Sequence, residues 1–71
     1  MKKEALELVR KIYQQLKWDI PHPNLEEIFE ASKNQAKFVA QHYIDKNPKE
    51  KEKYEMLIQE IAKIEFKQVY A

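Results

Sequence analysis

The placement of proline and the lack of glycine constrain this 71-residue chain more than any other feature. Pro21 and Pro23 interrupt the chain once and Pro48 interrupts it again, while the segments between them have helical periodicity. The tight turns of most sheet folds favour glycine, and the chain has none. The pattern therefore predicts an all-α protein, a small three-helix up-down-up bundle that forms one domain over residues 1–71.

The limits of the helices follow from apolar residues that recur at about 100° per residue and from residues typical of helix starts. Asn24 and Asn47 are good N-caps, and Pro48 suits the first helical position after Asn47. The short connection at 45–48 makes the second and third helices antiparallel neighbours. Helices are expected at about 3–17, 24–45 and 48–70.

Composition limits both the stability and the partners of such a bundle. The chain has no cysteine, so neither a disulfide nor a thiolate metal site supplements a core that is small at this length. Thirteen Lys and Arg against twelve Asp and Glu give a net charge of +1, which supplies no general attraction to nucleic acid. No apolar run approaches the roughly 18 residues that span a bilayer, and no secretory leader is recognisable, so a cytoplasmic location is expected.

Residues suited to catalysis or to metal binding are sparse, and we expect no enzyme activity, no cofactor and no metal. The only histidines, His22 and His42, do not complete the Glu-x-x-His pattern of di-iron bundles. Ser32 is the only serine and has no base near it in sequence, and a chain without glycine cannot form a glycine-rich phosphate loop.

The segment from Trp18 to Asn24 is the first candidate contact region, because it carries the only tryptophan beside two stiffening prolines. A rigid loop that exposes Trp18, Ile20 and His22 would lose little entropy on binding a partner. The interpretation we favour is instead that Trp18 and Ile20 fold back and plug the end of the bundle. The other interpretation, a binding anchor, stays open.

A second candidate surface lies on the middle helix, where Phe38 falls nearly opposite the main apolar face. Ala31, Gln35 and His42 lie near Phe38 and extend it into a weak stripe. Exposed aromatic side chains are enriched where proteins meet, which favours a dimer or partner surface. A singly exposed phenylalanine is also ordinary, and both interpretations stay open.

The last helix contains one irregularity, since Glu65 falls inside its apolar arc. A buried unpaired carboxylate is costly, so we expect the helix to have passed the end of the core at this point. Phe66 and Tyr70 continue the apolar character on an adjoining face, and an aromatic cluster with Phe29 is expected there. The candidate partner contacts are Trp18, Ile20, His22, Phe38, His42, Phe66 and Tyr70.

These observations predict a small non-enzymatic protein–protein interaction or regulatory module that self-associates as a homodimer. The alternative is a DNA-binding or transcription-regulating domain that uses an exposed stripe formed by Lys33, Lys37 and Gln41. A weaker alternative is an immunity-type bundle at a membrane surface. Helical bundles of this size occur among bacterial and phage regulators, a likeness of fold alone.

Overall fold

The computed structural model describes residues 2–70, with only the backbone of Tyr70. Over this range the chain is 87% helical and contains no strand, and its first three helices pack against one another as a three-helix bundle. The fold class expected from the sequence is thereby confirmed. The helices are α1 (Lys2–Asp19), α2 (Leu25–Lys46), α3 (Lys51–Lys63) and α4 (Lys67–Tyr70), with a 3₁₀ turn at Pro48–Glu50.

The start of α2 follows from its cap. The Asn24 backbone is extended, and its Oδ1 accepts hydrogen bonds from the backbone N–H groups of Glu26 and Glu27 at 3.1 and 3.2 Å. Both glutamates also lie in the first turn, where the helix dipole favours negative charge. The helix ends where the Asn47 N–H donates to the carbonyl of Tyr43 at 2.8 Å, and Pro48 opens the 3₁₀ turn that leads into α3.

The core lies along the line where the three long helices meet. Val9 and Tyr13 of α1, Ala36 and Ala40 of α2 and Ile61 of α3 are all completely buried. The two alanines on α2 give neighbouring backbones room to approach closely. Tyr43 and Tyr54 stack with ring centroids 5.3 Å apart and tie α2 to α3 near their connection.

Cross-helix contacts show that α2 and α3 run in opposite directions. Tyr43 of α2 stacks on Tyr54 near the start of α3, whereas Lys33, earlier in α2, donates to the carbonyl of Ala62 near the end of α3. The short loop at 20–24 reverses the chain between α1 and α2, so the order is up-down-up. Among the described helices, none is both long and apolar enough to cross a membrane.

The third helix is shorter than the sequence predicts. It ends at Lys63, and Ile64 takes an extended conformation, so the expectation of one helix over 48–70 is wrong. The reason is the position of Phe66, nine residues after Leu57. On a continuous helix this spacing puts Phe66 about 180° from Leu57 and away from the core. The break turns Phe66 inward and allows Val69 to be buried.

Polar contacts hold the final turn in place. Gln68 Oε1 accepts the backbone N–H of Glu65 at 2.7 Å, as the N3 residue of a capping box does. The Arg10 guanidinium donates from Nε and Nη2 to the Gln68 carbonyl at 3.1 and 2.7 Å and so fastens α4 to α1. Glu65 is exposed and pairs with Lys67 at 3.4 Å, because the helix that would have carried it inward has ended.

Trp18 does not plug the bundle, and the interpretation favoured from the sequence is wrong. Its side chain is 89% exposed. The cause is that α1 continues to Asp19, which keeps Trp18 on the helix nine residues after the buried Val9 and therefore about 180° from it. Leu16 packs against the core near this end, and Ile20 is also exposed.

Candidate interaction surface

Phe38 is the most exposed aromatic side chain on the α2–α3 hairpin. It is 77% exposed, because it follows the buried Ala36 by two residues and so points about 160° away from it. Beside it, between α2 and α3, is a shallow and mostly apolar depression that includes Ile58. The residues lining this depression are Asn34, Lys37, Phe38, Gln41 and Ile58.

The surroundings of Phe38 carry little charge, although charged residues make up 35% of the chain. The exposed residues of α2 from Ala31 to His42 are all uncharged when histidine is neutral. We call this surface the Phe38 face; it consists of Ala31, Asn34, Gln35, Phe38, Gln41 and His42 on α2 together with Ile58 on α3. The centre of a protein interface is typically depleted of charged side chains in the same way.

The sequence located part of this face and missed part of it. The stripe of Ala31, Gln35, Phe38 and His42 is exposed as expected. Ile58 was not expected on this face; it is half-buried, packs against the core and borders the depression. The sequence places Ile58 about 100° around the helix from Leu57, and this angle was the signal that Ile58 lies at the edge of the buried face.

The basic stripe proposed for nucleic acid is largely engaged within the protein. The Lys33 ammonium donates to the Ala62 carbonyl at 3.2 Å and lies 5.3 Å from the ring centroid of Phe29. Gln41 Nε2 donates to Asp45 Oδ1 at 3.2 Å. Lys37 is half-buried at the edge of the depression. Before Lys33 and Gln41 could contact phosphate, both would have to give up these intramolecular interactions.

The loop between α1 and α2 presents a separate exposed region. Trp18, Ile20 and His22 are all exposed, and His22 has a φ of 53°, in the left-handed region that histidine enters more readily than most residues. This conformation lets the chain turn between Pro21 and Pro23. Trp18 lies on α1, so the structure does not bring it onto the Phe38 face.

The two remaining contact candidates lie at the end of the chain. Phe66 is half-buried and packs against Tyr13 and Phe29, with ring centroids 6.5 and 5.5 Å apart, so it belongs to the aromatic cluster expected there. Trp18 is 89% exposed and takes no part in these ring contacts. The side chain of Tyr70 lies outside the described part of the chain.

Groups suited to catalysis or metal binding are scarce on these surfaces. Among residues 2–70, no cluster of three or more His, Asp or Glu side chains could hold a metal ion. Burial raises the pKa of Tyr13, and within the described residues its hydroxyl has no hydrogen-bond partner. Since Tyr13 is completely buried, this hydroxyl cannot reach a substrate.

No protein-family model, curated protein or solved structure matches this chain.

Proposed function

We propose that this chain is a non-enzymatic protein–protein interaction module that binds its partner through the Phe38 face. The observation that carries the proposal is the exposure of Phe38 on a stretch of α2 whose other exposed residues are uncharged, next to the half-buried Ile58. Transferring a phenylalanine side chain from water into an interface contributes about 1.5–3 kcal/mol. Lys37 is the one ionised residue that lines the depression, so few charged groups lose hydration when the face is covered.

Rigidity of the scaffold supports the same proposal. Phe38 lies in the middle of a 22-residue helix, between Ala36 and Ala40, which are both completely buried. Its backbone is therefore fixed before any partner arrives, so binding orders only a side chain with two rotatable bonds. Preorganisation of this kind increases affinity by lowering the entropy lost on binding.

Protein binding is better supported than nucleic-acid binding by the contacts of the basic stripe. Lys33 and Gln41 already make intramolecular hydrogen bonds, and the net charge of +1 gives no long-range attraction to phosphate. Binding to an anionic membrane surface lacks electrostatic support for the same reason.

The test is capture of partners by the tagged full chain from its own cells, compared with two serine variants. We expect Phe38→Ser to lose the captured protein and Trp18→Ser to retain it, because the two exposed aromatics lie on separate surfaces. Each variant removes one exposed aromatic ring, so each serves as the matched control for the other. Loss of the partner in Trp18→Ser alone, or capture only of nucleic acid that high salt releases, would contradict the proposal.

A further inference from the structure

A row of residues through Phe38 has an antisymmetric arrangement of charge. Side chains four residues apart form a ridge along a helix, and on α2 this ridge carries an acid at one end and a base at the other. Glu26 begins the ridge, and the five residues that follow along it are all exposed and have Phe38 at their midpoint, with Glu30 eight residues before it and Lys46 eight residues after it. We call these five residues the row: Glu30, Asn34, Phe38, His42 and Lys46.

This row is complementary to itself when it is reversed. If two copies of α2 pack antiparallel about a two-fold axis beside Phe38, each Glu30 lies opposite a Lys46, and the exposed Asp45 lies opposite the uncharged Ala31. Asn34 then lies opposite His42, which can form a hydrogen bond with its amide, and the two Phe38 rings meet. A parallel arrangement would instead place Glu30 against Glu30 and Lys46 against Lys46.

We propose that the partner of the Phe38 face is a second copy of this chain, with α2 packed antiparallel on α2 around Phe38. The inference rests on the proposed function, because it assigns an occupant to the same face. Interlocking of such four-residue ridges from both helices is the commonest packing class in globular proteins.

The depression beside Phe38 suits a two-fold arrangement. In such an interface the same patch serves on both subunits, so a protruding side chain and the recess that receives it must lie close together. Phe38 protrudes and also borders the depression that includes Ile58. Each Phe38 therefore inserts beside the other, against the apolar wall that Ile58 provides.

The size of the chain sets the expected strength. A standard interface buries about 800 Å² per partner, which is about 15% of this chain's 5371 Å² surface. Helices that cross at about 50° diverge away from the contact point, so close packing covers about four turns centred on Phe38, and the long side chains of Glu30 and Lys46 meet at the two ends of that contact. The more distant Glu26 and Glu50, which are like-charged, stay apart for the same reason. We therefore expect dissociation in the micromolar range.

The first measurement is sedimentation velocity of the wild-type chain from about 1 to 500 µM. We expect a reversible shift from monomer to dimer over this range. Phe38→Glu should weaken dimerisation at least tenfold, because it places two carboxylates together at the centre, while Trp18→Ser should leave it unchanged. Circular dichroism of each variant confirms that the helices remain folded.

Reversal of the end charges tests the antiparallel arrangement. Glu30→Lys alone and Lys46→Glu alone should each weaken dimerisation severalfold, since each brings two pairs of like charges together. An equimolar mixture of the two variants should form heterodimers of nearly wild-type strength, and the double variant should recover homodimers. Glu52→Lys, at an exposed position of α3 outside the row, changes net charge equally and should have no effect.

Each other outcome overturns a defined part of the inference. A wild-type chain that stays monomeric at 500 µM rejects the second copy, yet a captured partner lost in Phe38→Ser would leave the proposed function standing. A dimer that survives Phe38→Glu uses another face. A dimer that needs Phe38 but ignores both charge reversals rejects the antiparallel packing.

Discussion

Phe66 and Phe38 both fall outside the main apolar arc of the helix that the sequence predicts for them, yet one is packed inside the structure and the other is not. Phe38 lies nearly opposite the buried face of its helix, and Phe66 falls on a face that adjoins the apolar arc. The chain breaks α3 at Ile64 and turns Phe66 onto Tyr13 and Phe29, whereas α2 continues unbroken and leaves Phe38 77% exposed.

The difference shows what a helix break costs at each place. After Ile64 only a few residues follow, and the short α4 recovers part of the lost hydrogen bonding with help from Arg10 and Gln68. A break at Phe38 would divide a 22-residue helix that supplies core residues on both sides of that point. The chain can therefore bury Phe66 within itself, whereas Phe38 can be buried only by another molecule.

The largest expected effect separates these two phenylalanines by their contributions to stability. Phe66→Ala should lower the free energy of unfolding by about 3 kcal/mol, near the lower end for aromatic truncation because the ring is only half-buried. Phe38→Ala should change it by less than about 0.5 kcal/mol, as exposed substitutions do. Urea denaturation monitored by circular dichroism, at a concentration below dimerisation, measures both values.

Equal losses in the two variants would contradict the comparison. The matched pair shares the same chemical change, so any difference reports the surroundings of the two rings. A repeat of the experiment at a concentration where the proposed dimer would form sharpens it further. There Phe38→Ala should also become destabilising relative to wild type, because the proposed dimer would stabilise the wild type by mass action and not the variant.

The second effect concerns the hydrogen bonds from the Arg10 guanidinium to the Gln68 carbonyl, which hold α4 against α1. Arg10→Met should lower the free energy of unfolding by about 1 kcal/mol, because the Gln68 carbonyl loses a charged donor while the aliphatic length is kept. Arg10→Lys is the matched control: it retains the charge but not the paired donors, so it should recover only part of the loss. Hydrogen exchange at Val69 should quicken in Arg10→Met, and an unchanged rate would show that α4 is held by apolar packing alone.

The fold was predictable because the residues that end and begin its helices act locally in the sequence. Prolines mark both connections, Asn24 caps the start of α2, and the period of the apolar residues indicates the three long helices. The expected N-cap at Asn47 is wrong, because its side chain makes no N-cap hydrogen bond and donates instead to the Tyr43 carbonyl at the end of α2. The break after Lys63 lacks such a signal, since neither proline nor glycine marks it. The cause of the break is the burial of Phe66 and Val69 against other helices. This stabilisation comes from residues distant in sequence, so the apolar period of the last helix does not predict it. Glu65 inside the apolar arc was the one local sign that the pattern ended there.

The candidate surface was predictable only in part, for a related reason. The exposure of Phe38 follows from its own helix alone. The depression beside it depends on how α2 and α3 lie together, which brings Ile58 to its edge. Trp18 was misplaced because a helix that ends at 17 leaves Trp18 in the loop, where it can fold back. Since α1 continues to Asp19, the helix holds Trp18 about 180° from the buried Val9.

A third and smaller effect concerns Tyr13, the ring against which Phe66 packs. Tyr13→Phe should raise the free energy of unfolding by up to about 1 kcal/mol, because it removes a buried hydroxyl that has no hydrogen-bond partner in the described residues. Thermal denaturation at neutral pH measures the change. A loss of stability in this variant would show that the hydroxyl is hydrogen-bonded in solution.

The same substitution alters the dependence of stability on pH. Burial raises the pKa of Tyr13 above its ordinary value of 10.0. The folded state therefore keeps the proton at a pH where the unfolded state releases it. Stability is fully present below about pH 10 and falls as the pH rises toward the folded-state pKa. The advantage of Tyr13→Phe should thus widen above pH 10, and a constant difference would contradict the raised pKa.

The smallest expected effect on stability belongs to Trp18, the other strongly exposed aromatic side chain. Trp18→Ala should change the free energy of unfolding by less than about 0.5 kcal/mol, because the side chain is 89% exposed and lies opposite the buried face of α1. Trp18 is the only tryptophan, so its fluorescence reports on this site directly. Its emission should resemble that of free tryptophan, and iodide should quench it fully at concentrations both below and above dimerisation. Emission shifted to the blue only above dimerisation would place Trp18 in the interface, and a blue shift in the monomer would restore it as a plug of the bundle.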